Sequence, residues 1–150
     1  MTDRDSRPEP AGTAALGPTL AAVAAGGVLG ALARHALLGV LPPRDDAVDL
    51  ATLLVNVTGC ALIGVLMAVL ARRPGAHPLL RPFLGVGVLG GYTTFSAAVT
   101  DATAAFAAHR PETALLSLAA NLVGALAAVW VAGGAATALL DRAAARRGAA

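Results

Sequence analysis

Four stretches of this chain stay apolar for about twenty residues or more, separated by short links rich in charge, proline or glycine. They run from about Leu16 to Leu41, Leu50 to Ala71, Leu79 to Ala108 and Thr113 to Leu140. A hydrocarbon core of roughly 30 Å is crossed by about 20 apolar residues in α-helix, so the pattern predicts four transmembrane helices. Pro42, Pro43 and the cluster Asp45, Asp46, Asp49 divide the first two, and Arg72, Arg73, Pro74, Gly75 and Pro78 divide the second from the third. The third link, His109 to Glu112, is short enough to predict a tight antiparallel pair of the last two helices. Residues 1–15, with Pro8, Pro10 and scattered charge, read as a disordered tail; 16–140 read as the membrane domain and 141–150 as a short basic tail. The first helix starts too far from Met1 for a secretory signal and is expected to be retained.

Composition agrees with this picture. The chain is 57% hydrophobic and 13% charged over 150 residues, the profile of an integral membrane protein. Four spans put the N-terminus, the second link and the C-terminus on one side of the membrane. That side carries Arg4, Arg7, Arg72, Arg73, Arg81, Arg142, Arg146 and Arg147, against Arg44, Arg110 and, at the end of the first helix, Arg34 on the other. The positive-inside rule therefore predicts cytoplasmic termini. Cys60 stands alone and reads as a packing residue, and a net charge of +2 gives no case for nucleic acid.

The third span holds the unusual chemistry. Gly85, Gly87, Gly90 and Gly91 fall within seven residues and are followed at once by Thr93, Thr94, Phe95 and Ser96 in "GGYTTFS". Gly87 and Gly91 form a GxxxG, which serves close helix packing. The hydroxyls that follow suggest in addition a helix broken at Gly90 and Gly91. A break inside a membrane is tolerated only where protein or a water-filled cavity covers it. It would free carbonyls that suit a cation and N–H groups that suit an anion.

Other polar residues extend this chemistry. Asn56 in "LLVNVTG" lies near the middle of the second span, and Thr113, Ser117 and Asn121 share a face of the fourth. Such residues serve either as interhelical hydrogen-bonding glue or as a donor-lined track for a partly dehydrated anion. The electropositive edge of Phe95 fits the second use. Arg34 and Asp101 are the charged exceptions, expected either to pair or to snorkel separately. No nucleophilic triad, phosphate loop or HExxH occurs, which points away from an enzyme.

The motifs "GGVLGALARHAL", "TLLVNVTGCALIG", "GVGVLGGYTTFS" and "NLVGALAAVW", one in each span, resemble the CrcB (Fluc) fluoride channels. The resemblance implies an all-α four-helix subunit with a broken third helix, in an antiparallel dimer that exports fluoride passively. It also implies a structural, untransported Na⁺ at the dimer centre. By position, Asn56 resembles the pore asparagine and Phe95 the first of two phenylalanines facing fluoride. Thr94, Ser96, Ser117 and Asn121 fall along the same path, while Gly90 and Thr93 resemble the residues whose carbonyls bind Na⁺. Asp101 stands where an acidic residue is frequent. The second phenylalanine is missing: Ala98 occupies its position.

This departure and the arginine bias leave two partners open, a second copy of the chain or an oppositely oriented paralogue. Two rival functions also stay open: a non-conducting subunit that completes a partner's dimer, and a small proton-coupled multidrug exporter. The first span holds no Asp or Glu, which weighs against the exporter; Asp101, the only acidic residue in any proposed span, is the one carboxylate such an exporter could use.

Overall fold

The computed structural model describes residues 16–40 and 48–148. The expected tail at 1–15 and the link bearing Pro42, Pro43, Arg44, Asp45 and Asp46 lie outside the described residues. Four helical passages, each long and apolar enough to cross a membrane, account for nearly all of the described chain. They comprise α1 (Leu16–Val40), α2 (Leu50–Ala71), a third passage in three pieces, and α6 (Pro111–Gly148). The third passage consists of α3 (Arg81–Leu89), α4 (Gly90–Tyr92) and α5 (Phe95–Ala107).

Local chemistry sets most of the boundaries. The Asp49 carboxylate caps α2, accepting from the N–H groups of Ala51 at 3.0 Å and Thr52 at 3.3 Å. An acceptor there satisfies donors that a helix start leaves unpaired. The α5–α6 hairpin closes with the N–H of His109 bonded to the Phe106 carbonyl and that of Arg110 to the Ala105 carbonyl. This is the Schellman pattern, and His109 takes its left-handed position at φ 57°. The short link gives the tight antiparallel pair expected, with Ala102, Ala105 and Ala114 packed together beside Leu118.

α3 is wound as a π-helix over all nine of its residues. Such turns usually occur singly and often near functional sites. Pro82 has no N–H to give the ladder, and Gly85 and Gly87 add no side chains to crowd the wide turn. The last helix differs from expectation at its end: it continues past Leu140 as an exposed basic extension to Gly148. At roughly 1.5 Å per residue its 38 residues span about 57 Å, well beyond a bilayer core of roughly 30 Å.

Glycine decides how the passages pack. Lipid gives apolar helices little reason to associate, so the gain comes from close backbone approach. Along α1 and α3–α4 the contacts pair Val23 with Gly87, Gly27 with Gly91 and Gly30 with Tyr92, so these helices run parallel. A Cβ at Gly87 would lie 2.8 Å from the Val23 carbonyl oxygen, and one at Gly30 would overlap the Val88 carbonyl. α2 and α6 form the second parallel pair, with Gly64 against Val129 and Gly133, and an Arg72–Asp141 ion pair at one end.

A side chain at Gly30 must therefore push α1 off α3. Gly30→Val is expected to destabilise the folded chain by about 1–3 kcal/mol, read as a lower thermal midpoint in detergent. Gly39→Ala meets open space and is expected to leave the midpoint unchanged.

Candidate functional site

The third passage is broken, as expected, but three residues later than Gly90–Gly91. Gly90 keeps helical angles, φ −66° and ψ −36°. The chain leaves the helix at Thr93, ψ 155°, and Thr94, φ −149° and ψ 113°. Glycine permits a break without forcing one, and here Gly87 and Gly91 are committed to α1. The helix opens where its lost hydrogen bonds find replacements, and Asn56 supplies them.

The Thr94 N–H donates to Asn56 Oδ1 at 2.8 Å, and Asn56 Nδ2 donates back to the Thr94 carbonyl at 2.9 Å. One side-chain amide thus pairs with both polar groups of one residue's backbone. The second Nδ2 hydrogen goes to Asn121 Oδ1 at 2.8 Å on α6, whose own Nδ2 donates to the Ser117 carbonyl at 3.0 Å. Asn56, Asn121 and Ser117 are all buried. Both donors of Asn56 are spent. Asn121 keeps one amide hydrogen with no acceptor among the described residues, and the buried Ser117 hydroxyl is unpartnered there.

The rest of "VNVTG" serves the same junction. Gly59 follows Asn56 by three, hence on one helix face, and a Cβ there would run into Thr93 Cγ2. The Thr58 hydroxyl gives its hydrogen to the Leu54 carbonyl at 2.6 Å, so Tyr92 Oη donates to Thr58 Oγ1 at 3.0 Å. Sequence reading missed Gly59 and Tyr92; the spacing of Gly59 from Asn56 was the available signal.

Beyond the break, Thr94 caps α5 by accepting from the Ala97 N–H at 3.2 Å, and its hydroxyl lies 3.1 Å from that of Ser96. Thr94, Ser96 and Phe95 therefore begin α5 together, and Phe95 is 71% exposed on this single chain. Ala98 is wholly buried, at 0%. The position expected to carry a second phenylalanine thus has no room for a ring.

The carbonyl end of the break carries Gly90 and Thr93. The α-helical partner of the Gly90 carbonyl would be the Thr94 N–H, which Asn56 takes, so that carbonyl leaves the ladder. Gly90 itself is exposed and faces open space. The Thr93 carbonyl accepts from Arg34 Nη1 at 3.2 Å.

Arg34 forms no ion pair with Asp101 among the described residues, where pairing was one of the two expectations. A loose carbonyl at the break offers the guanidinium an acceptor within reach. Asp101 lies beside Asp49 and Thr52, with Oδ2 buried and unpartnered among the described residues. No group of three or more His, Cys, Asp or Glu side chains able to hold a metal occurs among the described residues. The break itself offers backbone carbonyls, which suit a hard alkali cation, as carboxylates and waters do.

A small four-span membrane protein whose interrupted third helix is held by a buried amide network belongs among the proteins that handle small ions. Its family is plain from sequence comparison. Residues 21–133 match the model for the CrcB-like proteins, described also under camphor resistance, and the chain belongs to that family. It is 69% identical over 130 residues to the fluoride-specific ion channel FluC 2 of Thermobifida fusca, covering 87% of this chain and 96% of that one. It is 44% identical over 137 residues to the fluoride-specific ion channel FluC 1 of Streptomyces coelicolor, covering 91% and 89% respectively.

Two substitutions test the junction. Asn56→Ala strands the Thr94 N–H and carbonyl, and each orphaned group costs about 1–3 kcal/mol. The thermal midpoint is expected to fall sharply. Ala98→Phe, which places a second phenylalanine at the expected position, is expected to destabilise this chain by about 1–3 kcal/mol through overpacking and to leave fluoride flux no higher.

Proposed function

We propose that this chain is a subunit of a fluoride-specific channel that lets the anion leave the cell down its electrochemical gradient. The observation that carries this reading is the 69% identity, across nearly the whole of both chains, to a protein named for that activity. The geometry supports it through donors that have no other use. Fluoride sheds water only where neutral hydrogen-bond donors replace it without holding it too tightly. The Ser117 hydroxyl and the spare Asn121 amide hydrogen are such donors, and the Thr94 and Ser96 hydroxyls and the Phe95 ring edge extend the series. Asn56 belongs to the same path, but its part is to fix the break beside them. Hydrogen fluoride enters as a neutral acid and ionises inside, so export needs neither ATP nor a coupling carboxylate.

The working unit is an antiparallel dimer. Phe95 and Gly90 are exposed on the isolated chain, which suits a face completed by a second subunit. The released Gly90 carbonyl and that of Thr93, doubled by a partner, would supply four oxygens for a structural Na⁺. The ion would contribute fixed positive charge at the dimer centre. Arg34 leaves one lone pair of the Thr93 carbonyl for it.

The arginine bias and the filled Ala98 site favour an oppositely oriented paralogue as partner, with this chain's termini in the cytoplasm.

The test is fluoride release from vesicles, read by electrode against chloride. The chain reconstituted with its paralogue is expected to release fluoride selectively, with Asn56→Asp and Phe95→Ile each cutting flux by more than about tenfold. Flux unchanged by both substitutions would leave this chain a merely structural subunit. Brisk release by the chain alone would establish the homodimer instead.

A further inference from the structure

The arginine-rich end of the bundle carries a surface that ion conduction does not use. Between the last turns of α2 and the linker before α3 lies a half-open hollow of about 440 Å³. Met67, Leu70 and Ala71 form its apolar wall, and His77 and Arg81 its polar edge. On the other side of Met67 a second hollow of about 490 Å³ runs between α2 and α6, lined by Ile63, Gly64, Gly133, Gly134 and the 83% exposed Trp130. Met67 borders both, so a charged mouth at the end of the helices adjoins an apolar channel leading toward the middle of the membrane.

The charge at that end of the bundle is one-sided, and Arg81 is the arginine that lines the mouth itself. The acidic residue Asp141 is consumed by Arg72, while Arg73, Arg81, Arg142, Arg146 and Arg147 have no acidic partner among the described residues. His77 Nδ1 accepts from the Leu79 N–H at 3.2 Å, so its remaining hydrogen sits on Nε2 and is free to be donated. A guanidinium fork beside an imidazole N–H suits phosphate oxygens. The outer surface of a membrane protein is bathed in lipid, and a basic pocket at the edge of the spans selects anionic headgroups from it.

We propose that this paired hollow binds one anionic glycerophospholipid. Its phosphate rests on Arg81 and His77, and one acyl chain passes over Met67 toward Gly64 and Gly133. The glycines that bring α2 against α6 leave the groove shallow enough for the chain, and Trp130 forms its far wall.

The full-length protein, delipidated in mild detergent, is mixed with phosphatidylglycerol, phosphatidylcholine or inorganic phosphate and examined by native mass spectrometry. Phosphatidylglycerol is expected to be retained about fivefold better than phosphatidylcholine, Arg81→Gln to erase that preference, and Arg147→Gln, outside the groove, to preserve it. Gly134→Leu, whose side chain enters open space over the acyl channel, is expected to reduce retention of both lipids equally. His77→Ala provides the same headgroup test if Arg81→Gln is not recovered folded. The proposal is overturned if the preference survives Arg81→Gln or His77→Ala, or if Arg147→Gln abolishes it as well. Retention untouched by Gly134→Leu, or full displacement of the lipid by millimolar inorganic phosphate, would overturn it too.

Discussion

The fold depends on one side-chain amide standing in for a stretch of helix. Inside a membrane each unpaired backbone donor or acceptor is expensive, so the third passage can unwind only where substitutes are already in place. Asn56 provides an acceptor and a donor at the spacing of the Thr94 N–H and carbonyl. Its remaining hydrogen ties the junction to Asn121 on α6. The break is thus a hydrogen-bonded structure in its own right, joining α2, α4–α5 and α6 at one buried point.

Glycine makes that point rigid. α1 lies against α3–α4, and α2 against α6, at distances that forbid a Cβ at several positions, so the helices that present Asn56, Asn121 and Thr94 have little freedom to slide. Gly59 brings α2 within contact of Thr93 and Tyr92, and the Tyr92 hydroxyl closes on Thr58. Polar groups held this way have little freedom to reorganise. Phe95 and Gly90, at the two ends of the break, are exposed on the single chain.

Much of this was legible in the sequence. Span length and hydropathy gave four helices, the first three with ends near those observed, because bilayer thickness sets how much apolar chain a span needs. Polar residues within the spans marked the junction, since hydrocarbon penalises them unless they are partnered. The exact break was not legible: glycine signals permission to deform, but the position depends on where Asn56 reaches across from another helix, a tertiary fact. Arg34 escaped for the same reason, its acceptor being a backbone carbonyl 59 residues away that only the break releases. The extension of α6 to Gly148 was hidden by its charge, which signals the end of the membrane and not the end of the helix.

Solid-state NMR dipolar recoupling on the protein in lipid bilayers tests the central claim directly, with ¹⁵N placed in the Thr94 backbone and ¹³C either in the Asn56 side-chain carbonyl or in the Gly90 backbone carbonyl. The Asn56 label is expected to dephase the Thr94 signal strongly, as an N···Oδ1 separation of 2.8 Å requires, and the Gly90 label only weakly. The reverse result would mean that the third helix continues unbroken through Thr94, and the account of the site built on Asn56 would be wrong.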